Sequence, residues 1–320
     1  LSALFQTGIK IGMEYIIPNA SFGIANSDES SSSEELILDS DMAMYEAKKK
    51  GKNMYAFYTQ DMKNQITEIN RIKAVLVDAI ANEKFYMLYQ PQIDAQTGKV
   101  SGYEALVRME GTKISPGVFI PIAEQNGWIR MIGRITTKKV VEQLAEWKRA
   151  GKQIHPVAIN FSSNQINDTE YLEYLLRLLQ ENDISSEYIE IEITENLVVE
   201  KTQIALDLFT KFKEAGIQLH MDDFGTGYSS LSYLSYLPID TIKLDKSLVD
   251  TYLQSGKEAF IEDVICLGHD LGKKLIIEGV EEEWQYKKLK EFQADIIQGY
   301  YFSKPLPPEE AIDFTAIRNN

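Results

Sequence analysis

The stretch YIEIEITENLVVEKTQIALDLFTKFKEAGIQLHMDD, Tyr188 to Asp223, decides the fold. It opens with strict alternation of isoleucine and glutamate, the period of a β-strand, whose side chains point to opposite faces in turn. From Lys201 to Ala215 the apolar residues recur at helical spacing, and QLHMDD then forms a second short strand. A strand, a helix and a strand in this order make a βαβ unit, which implies parallel pairing. Both strands end in carboxylates.

The same unit recurs on either side. Before it stand KFYMLYQ, GYEALVRM, a helical stretch from Ile135 to Ala150, PVAINFS and a helix from Glu170 to Gln180. After it come TIKLD, a helix from Phe260 to Leu271, KLIIEGVE, a short helix from Glu283, and ADIIQGYYF. About eight strands over roughly 240 residues fit a closed β/α barrel, a fold of about 250 residues. An open doubly wound sheet is the alternative, but no Gly-x-Gly-x-x-Gly turn follows the first strand to support a dinucleotide site.

Upstream, residues 1–57 form a separate unit: the extended piece YIIPNASFGIA, the polar loop NSDESSSSEE and the helical pattern LILDSDMAMYEAKKKGKN. These elements are too few to bury a core of their own and read as the end of something larger. Met62, Ile66, Ile69, Ile72, Leu76 and Ile80 then mark one face of a helix over residues 58–82, the natural linker to the domain at 83–320 and equally suited to be that domain's first helix.

The 320 residues carry 33 basic and 48 acidic side chains, a formal charge of −15. Such a surface disfavours nucleic acid and anionic membrane, while leaving room for a phosphate ligand held through cations. The single cysteine, Cys266, excludes an internal disulfide and suits a reducing compartment. Its place in an apolar helical pattern predicts burial. No stretch is apolar for long enough to span a bilayer and no signal peptide opens the chain, so the expected location is cytoplasmic, with tethering through an upstream region compatible.

Nearly every predicted strand of the barrel ends in a polar residue. Glu104 lies in GYEALVR, Asn160 ends AIN, Glu192 and Glu195 lie in IEITE, Asp222 and Asp223 end LHMDD, Lys243 and Asp245 lie in TIKLD, Glu278 and Glu281 in LIIEGVE, and Gln298 follows ADII. In a β/α barrel these ends converge on one mouth. Singly, Glu192 is explained by solvated alternation, Lys243 by a snorkelling stem, and Glu281 by a helix N-terminus. Jointly, so many like charges in a partly desolvated mouth repel unless protonated or neutralised. Hard oxygen donors without suitable histidine or cysteine point to a pair of Mg²⁺ or Mn²⁺ ions, the apparatus for in-line attack of water on a phosphate ester. His155, His220 and His269 lack metal-ligand spacing, and His220 is expected to be a packed barrel residue.

YQPQID, GYEALVR, AINFSS, IEITE, MDDFGTGYSSL, IKLDKSLV, IIEGVE and IIQGYYFSKP resemble, in order and spacing, the motifs of EAL-domain cyclic di-GMP phosphodiesterases, over Ile72 to Phe314. SFGIA and DSDMAMYEAKKKGKN resemble the C-terminal part of a GGDEF domain, without that domain's nucleotide-binding loop. The resemblance implies an EAL-type TIM-like barrel that hydrolyses cyclic di-GMP to linear pGpG in bacterial signalling. It also implies a homodimer through that domain.

By motif, Glu104, Asn160, Glu192 and Asp222 then correspond to metal ligands, with Asp222 bridging and Asp223 serving the second ion. Lys243 and Glu278 correspond to the pair that handles the attacking water, Gln90 and Arg108 to substrate contacts, and Glu195 to the anchor of the loop after Asp223. Asp245, Glu281 and Gln298 have supporting roles. Met109 and the short loop EGTKISP depart from the family pattern near the mouth. A cyclic di-GMP receptor without catalysis is the competing reading, weakened by the complete ligand set; a barrel acting on another metal-bound substrate is a third.

Adjacent residues on a regular strand cannot share a face, so Asp222 is expected to end the strand and Asp223 to lie in the turn. Gly225 and Gly227 would let that turn swing back, making FGTGYSS a mobile loop.

Overall fold

The computed structural model describes residues 9–17, 19–27, 32–195, 202–225, 234, 237–253 and 256–316. The chain divides into two compact units, Leu1–Val77 and Asp78–Asn320. The helix Gln60–Ala81 therefore runs through the division rather than ending at it.

In the first unit, β1 (Ile9–Ile11) and β2 (Glu14–Ile16) pair antiparallel, and β3 (Phe22–Ile24) pairs parallel with β4 (Tyr55–Phe57). The helix Ser33–Lys49 connects β3 to β4. Its start is fixed by Ser32, whose hydroxyl accepts the Glu35 N–H at 3.1 Å, and by acidic residues in the first turn. The helix lies so close to β3 that a Cβ on Gly23 would run into the Ser40 carbonyl, which explains the glycine in SFGIA.

The second unit is a closed eight-stranded barrel. Its strands are β5 (Phe85–Asp94), β6 (Val100–Met109), β7 (Val157–Phe161), β8 (Ile189–Thr194), β9 (Gln218–Phe224), β10 (Thr241–Leu244), β11 (Lys274–Ile277) and β12 (Ile296–Ile297), in sequential order with β12 closing on β5. Pairing is not parallel throughout, as the alternation of elements had suggested. β5 runs antiparallel to both β6 and β12. The physical reason lies in the link: residues 95–99 form a short turn, whereas a parallel crossover needs a dozen or more residues.

β8 shows how alternation works in a barrel. Ile189, Ile191 and Ile193 pack outward into the cluster that holds Phe209 and Phe212 of the helix Thr202–Glu214. Glu190 and Glu192 occupy the other face, the barrel interior, and are also buried. Full burial of an isoleucine or phenylalanine contributes about 1.5–3 kcal/mol, so the apolar face fixes which glutamates point inward. The helix predicted over 135–150 is longer, Ile129–Arg149, and a helix at Pro116–Gln125 was not anticipated.

Cys266 is exposed, contrary to expectation. The buried face of its helix, Ala259–Asp270, consists of Ile261, Ile265 and Gly268. Cys266 follows Ile265 and is turned about 100° away from that face.

Candidate active site

The paired aspartates are placed by a β-bulge. Ile242 of β10 pairs with Met221 of β9, and Leu244 pairs with Phe224. Lys243 alone therefore faces two residues, Asp222 and Asp223. Asp223 adopts φ +58°, the left-handed conformation that aspartate tolerates better than most residues. This corrects the expectation that Asp223 lies beyond the strand, since β9 continues through Phe224. The bulge does what the turn was asked to do: it breaks the alternation, and Asp223 remains close enough to Asp222 and Asp245 to feel their charges.

Lys243 is the electrostatic centre. Only 1 % exposed, its Nζ stands 2.8 Å from Glu278 Oε1, 2.9 Å from Glu192 Oε1, 3.1 Å from Asp222 Oδ1 and 3.6 Å from Glu104 Oε2. Burial alone would depress its pKa, but Glu104, Glu192, Glu278 and Asp222 together drive it well above the usual value. The ammonium stays charged.

Carboxamides hold the remaining geometry. Asn160 donates to Glu104 Oε1 at 2.9 Å and Gln298 donates to Glu104 Oε2 at 2.6 Å. Gln298 also donates to Gln90 at 3.3 Å and accepts from Gln92 at 3.1 Å. Burial would raise the Glu104 carboxyl, yet Lys243 and these two donors bring it below its ordinary value.

Among the described residues, no carboxamide donates to Glu192 or Glu278. Burial, followed by the charge of Glu104, pushes Glu192 well up. Burial pushes Glu278 up to about 8 against the pull of Lys243. Burial also raises Asp223 and lowers His220, whose imidazole packs inside the barrel 3.6 Å from Glu190.

Both oxygens of Glu192 and Oδ1 of Asp222 are buried and make no hydrogen bond; Lys243 is their compensating charge. Among the described residues, no three acidic, histidine or cysteine side chains form a ready cation cage. The ammonium of Lys243 stands between them instead. Unsatisfied hard oxygens beside an exposed Asp223 and the Asn160 carboxamide nevertheless suit a divalent cation in donor type and charge.

Two cavities meet at Glu104. One, of about 370 Å³, is lined by Gln90, Asp222, Glu278 and Gln298. The other, of about 400 Å³, is lined by Arg108, Asn160, Glu192, Pro121 and Ile132. Gln90 and Arg108, both predicted to contact substrate, thus line different cavities on either side of Glu104. Met109 lines neither, being buried opposite Phe85 in the β5 to β6 ladder.

Glu195 accepts a long 3.4 Å bond from the Gly225 N–H, where the chain leaves β9. Asp245 caps the following turn by accepting the Ser247 N–H at 2.9 Å. Glu281 stands at the rim, 3.0 Å from Lys246. The proposed mobile loop, from residue 226 onward, lies outside the described residues. Gln92 escaped the sequence reading, although its position two residues after Gln90 on the same strand face was available. Lys246 escaped too, because a lysine outside a strand carries no signal by itself.

The fold and this site define a class: a β/α barrel whose mouth concentrates carboxylates around one buried lysine. Residues 73–305 match the EAL domain model, and the chain belongs to that family. The signaling protein YkoW of Bacillus subtilis is 35% identical over 97% of this chain and 39% of its own length. The cyclic di-GMP phosphodiesterase PdeR of Escherichia coli is 35% identical over 93% of this chain and 46% of its own length. The chain therefore spans less than half of either relative. The PaMucR phosphodiesterase, solved in complex with c-di-GMP, superposes with TM-score 0.70 at 29% identity, covering 75% of this chain and 98% of that one. No helix among the described residues is long and apolar enough to cross a membrane.

Proposed function

We propose that the barrel hydrolyses one phosphodiester bond of cyclic di-GMP to give linear pGpG. The observation that carries the reading is the cluster of Glu104, Glu192, Asp222 and Glu278 around Lys243, with both oxygens of Glu192 and Oδ1 of Asp222 left without hydrogen bonds. Such an arrangement is costly unless cations and substrate complete it. The relatives named for cyclic di-GMP supply the substrate class.

EAL phosphodiesterases are in general dependent on divalent metal. Here Glu104, Asn160, Glu192 and Asp222 would hold one Mg²⁺ or Mn²⁺, with Asp222 shared and Asp223 reaching a second. Bound there, the pair would acidify water and neutralise charge developing on the phosphoryl oxygens. Glu278 lines the cavity and can meet water directly, so it is the group placed to accept the proton. Lys243 is buried and firmly cationic, which suits it to hold Glu278 in place and to favour the anionic transition state. Arg108 offers a planar fork to a phosphate. Asp245, Glu281 and Gln298 support these groups through contacts of their own.

The first unit fits the same account as the C-terminal part of a GGDEF-like domain, its β3-helix-β4 unit supporting the motif resemblance. A homodimer through the barrel completes the proposal, carried by the family resemblance; sedimentation equilibrium tests it. For the activity, Asp222→Ala is expected to abolish pGpG formation while retaining the native circular dichroism spectrum. Undiminished hydrolysis in that variant would overturn the reading. Binding without turnover by the unaltered chain would favour a receptor instead.

A further inference from the structure

The cavity beside Glu104 has an unbalanced wall. Among the described residues lining it, Glu104, Asp222, Glu278 and Glu281 are carboxylates, and Lys246 is the one cation. Lys243 lies behind this wall with its charge committed to four carboxylates.

A cyclic dinucleotide brings two phosphodiesters, each carrying one negative charge. When one lies at the reacting centre, the ring places the other several ångströms away, and a ring that extends into the cavity of Lys246, rather than into that of Arg108, sets it against the acidic wall. In an acidic wall that second charge needs a counter-ion.

Lys246 is placed to provide it. Its Nζ is 3.0 Å from Glu281 Oε1 and 3.3 Å from Asp250 Oδ2, in side chains that are each roughly half exposed. Exposed pairs of this kind are worth about 1 kcal/mol or less and exchange readily for a better anion. The stem, by contrast, is held firmly. Gly279 follows Glu278 with φ +68°, and a Cβ there would overlap the Lys246 side chain at Cβ and Cγ. The backbone next to Glu278 therefore packs directly on Lys246, which ties the position of the lysine to the position of the base.

We infer that Lys246 is a substrate-binding residue that receives the second, non-reacting phosphate of the cyclic dinucleotide, exchanging Glu281 for it. The inference rests on the hydrolase reading for its substrate class. It makes Lys246 a determinant of selectivity for a two-phosphate ring over a simple phosphodiester.

The test compares the unaltered chain with Lys246→Ala and Lys246→Arg, on cyclic di-GMP and on bis(4-nitrophenyl) phosphate, with Mn²⁺. For Lys246→Ala, KM for cyclic di-GMP is expected to rise about tenfold with kcat within about twofold, as for the loss of one charged contact. The efficiency on the single phosphodiester should change less than about twofold. Lys246→Arg should restore most of the affinity, and the salt dependence of KM should be shallower in Lys246→Ala. An unchanged KM, or an equal loss on both substrates, would overturn the inference. The dissociation constant for cyclic di-GMP, measured with Ca²⁺ in place of Mn²⁺, separates the two claims. Binding without hydrolysis by the unaltered chain would defeat the hydrolase reading, while the ratio of dissociation constants still judges Lys246. An absence of both binding and hydrolysis defeats both.

Discussion

Replacing Lys243 by methionine in the metal-free protein keeps most of the stem's volume and removes the charge. The substitution strips a cation from within 2.8 Å of Glu278, 2.9 Å of Glu192 and 3.1 Å of Asp222, all in an interior where Lys243 is only 1 % exposed. Breaking a buried pair from one side costs about 3–5 kcal/mol, because the remaining charge stays desolvated. That is a large share of the 5–15 kcal/mol by which domains are typically stable. With an m-value of roughly 2–3 kcal/mol/M, the urea midpoint should fall by about 1–2 M at pH 8.

Fluorescence of the three tryptophans, Trp128, Trp147 and Trp284, all in the barrel unit, gives the readout, and Trp147 is the buried one among them. The loss should shrink at pH 5. Carboxylates deprived of their cation have raised folded-state pKa values, so their penalty is present above those values and disappears as they take up protons. Mn²⁺ should raise the variant's midpoint more than the parent's. A variant whose midpoint at pH 8 matches the parent within about 0.2 M would refute the reasoning, given the shift expected from a buried pair.

Metal-free parent protein should itself lose stability as pH rises from about 4.5 toward about 8, the window set by Glu278. The folded state there binds a proton that the unfolded state has released, so the slope is negative. Glu278→Gln should make that decline shallower in urea titrations at several pH values; an unaltered slope would contradict the assignment. Gly279→Ala combines a positive φ with overlap on the Lys246 stem, and should cost about 1–3 kcal/mol in denaturant melts and raise KM. Cys266, exposed on its helix, should react stoichiometrically with a thiol reagent in the native state, and Cys266→Ser should shift stability by less than about 0.5 kcal/mol.

The barrel was legible because its strands alternate so regularly. In β8 the isoleucines mark the face toward the helices, and the glutamates between them mark the interior. The direction of β5 was less accessible: it depends on counting the residues of one turn rather than on strand pattern. The convergence of Asp222, Lys243 and Glu278 followed from strand ends; Glu104 reaches the same centre from the middle of β6, five residues before that strand ends. The bulge at Asp222 and Asp223 did not, since it is defined by pairing with Ile242 and Leu244, and a single strand carries no trace of its partner's register. Cys266 was misplaced because an apolar pattern shows that a helix has a buried face, while a one-residue step decides which side of it a small side chain takes. Lys246 was invisible for a similar reason, as its interest lies in the acidic wall around it.

Incubating the chain with cyclic di-GMP and Mn²⁺, and separating the nucleotides by chromatography, tests the central claim most directly. The account predicts that cyclic di-GMP is converted to linear pGpG by the parent chain and that Asp222→Ala, still folded, forms none. Cyclic di-GMP that remains intact with the parent chain, or pGpG formed equally well by Asp222→Ala, would contradict it.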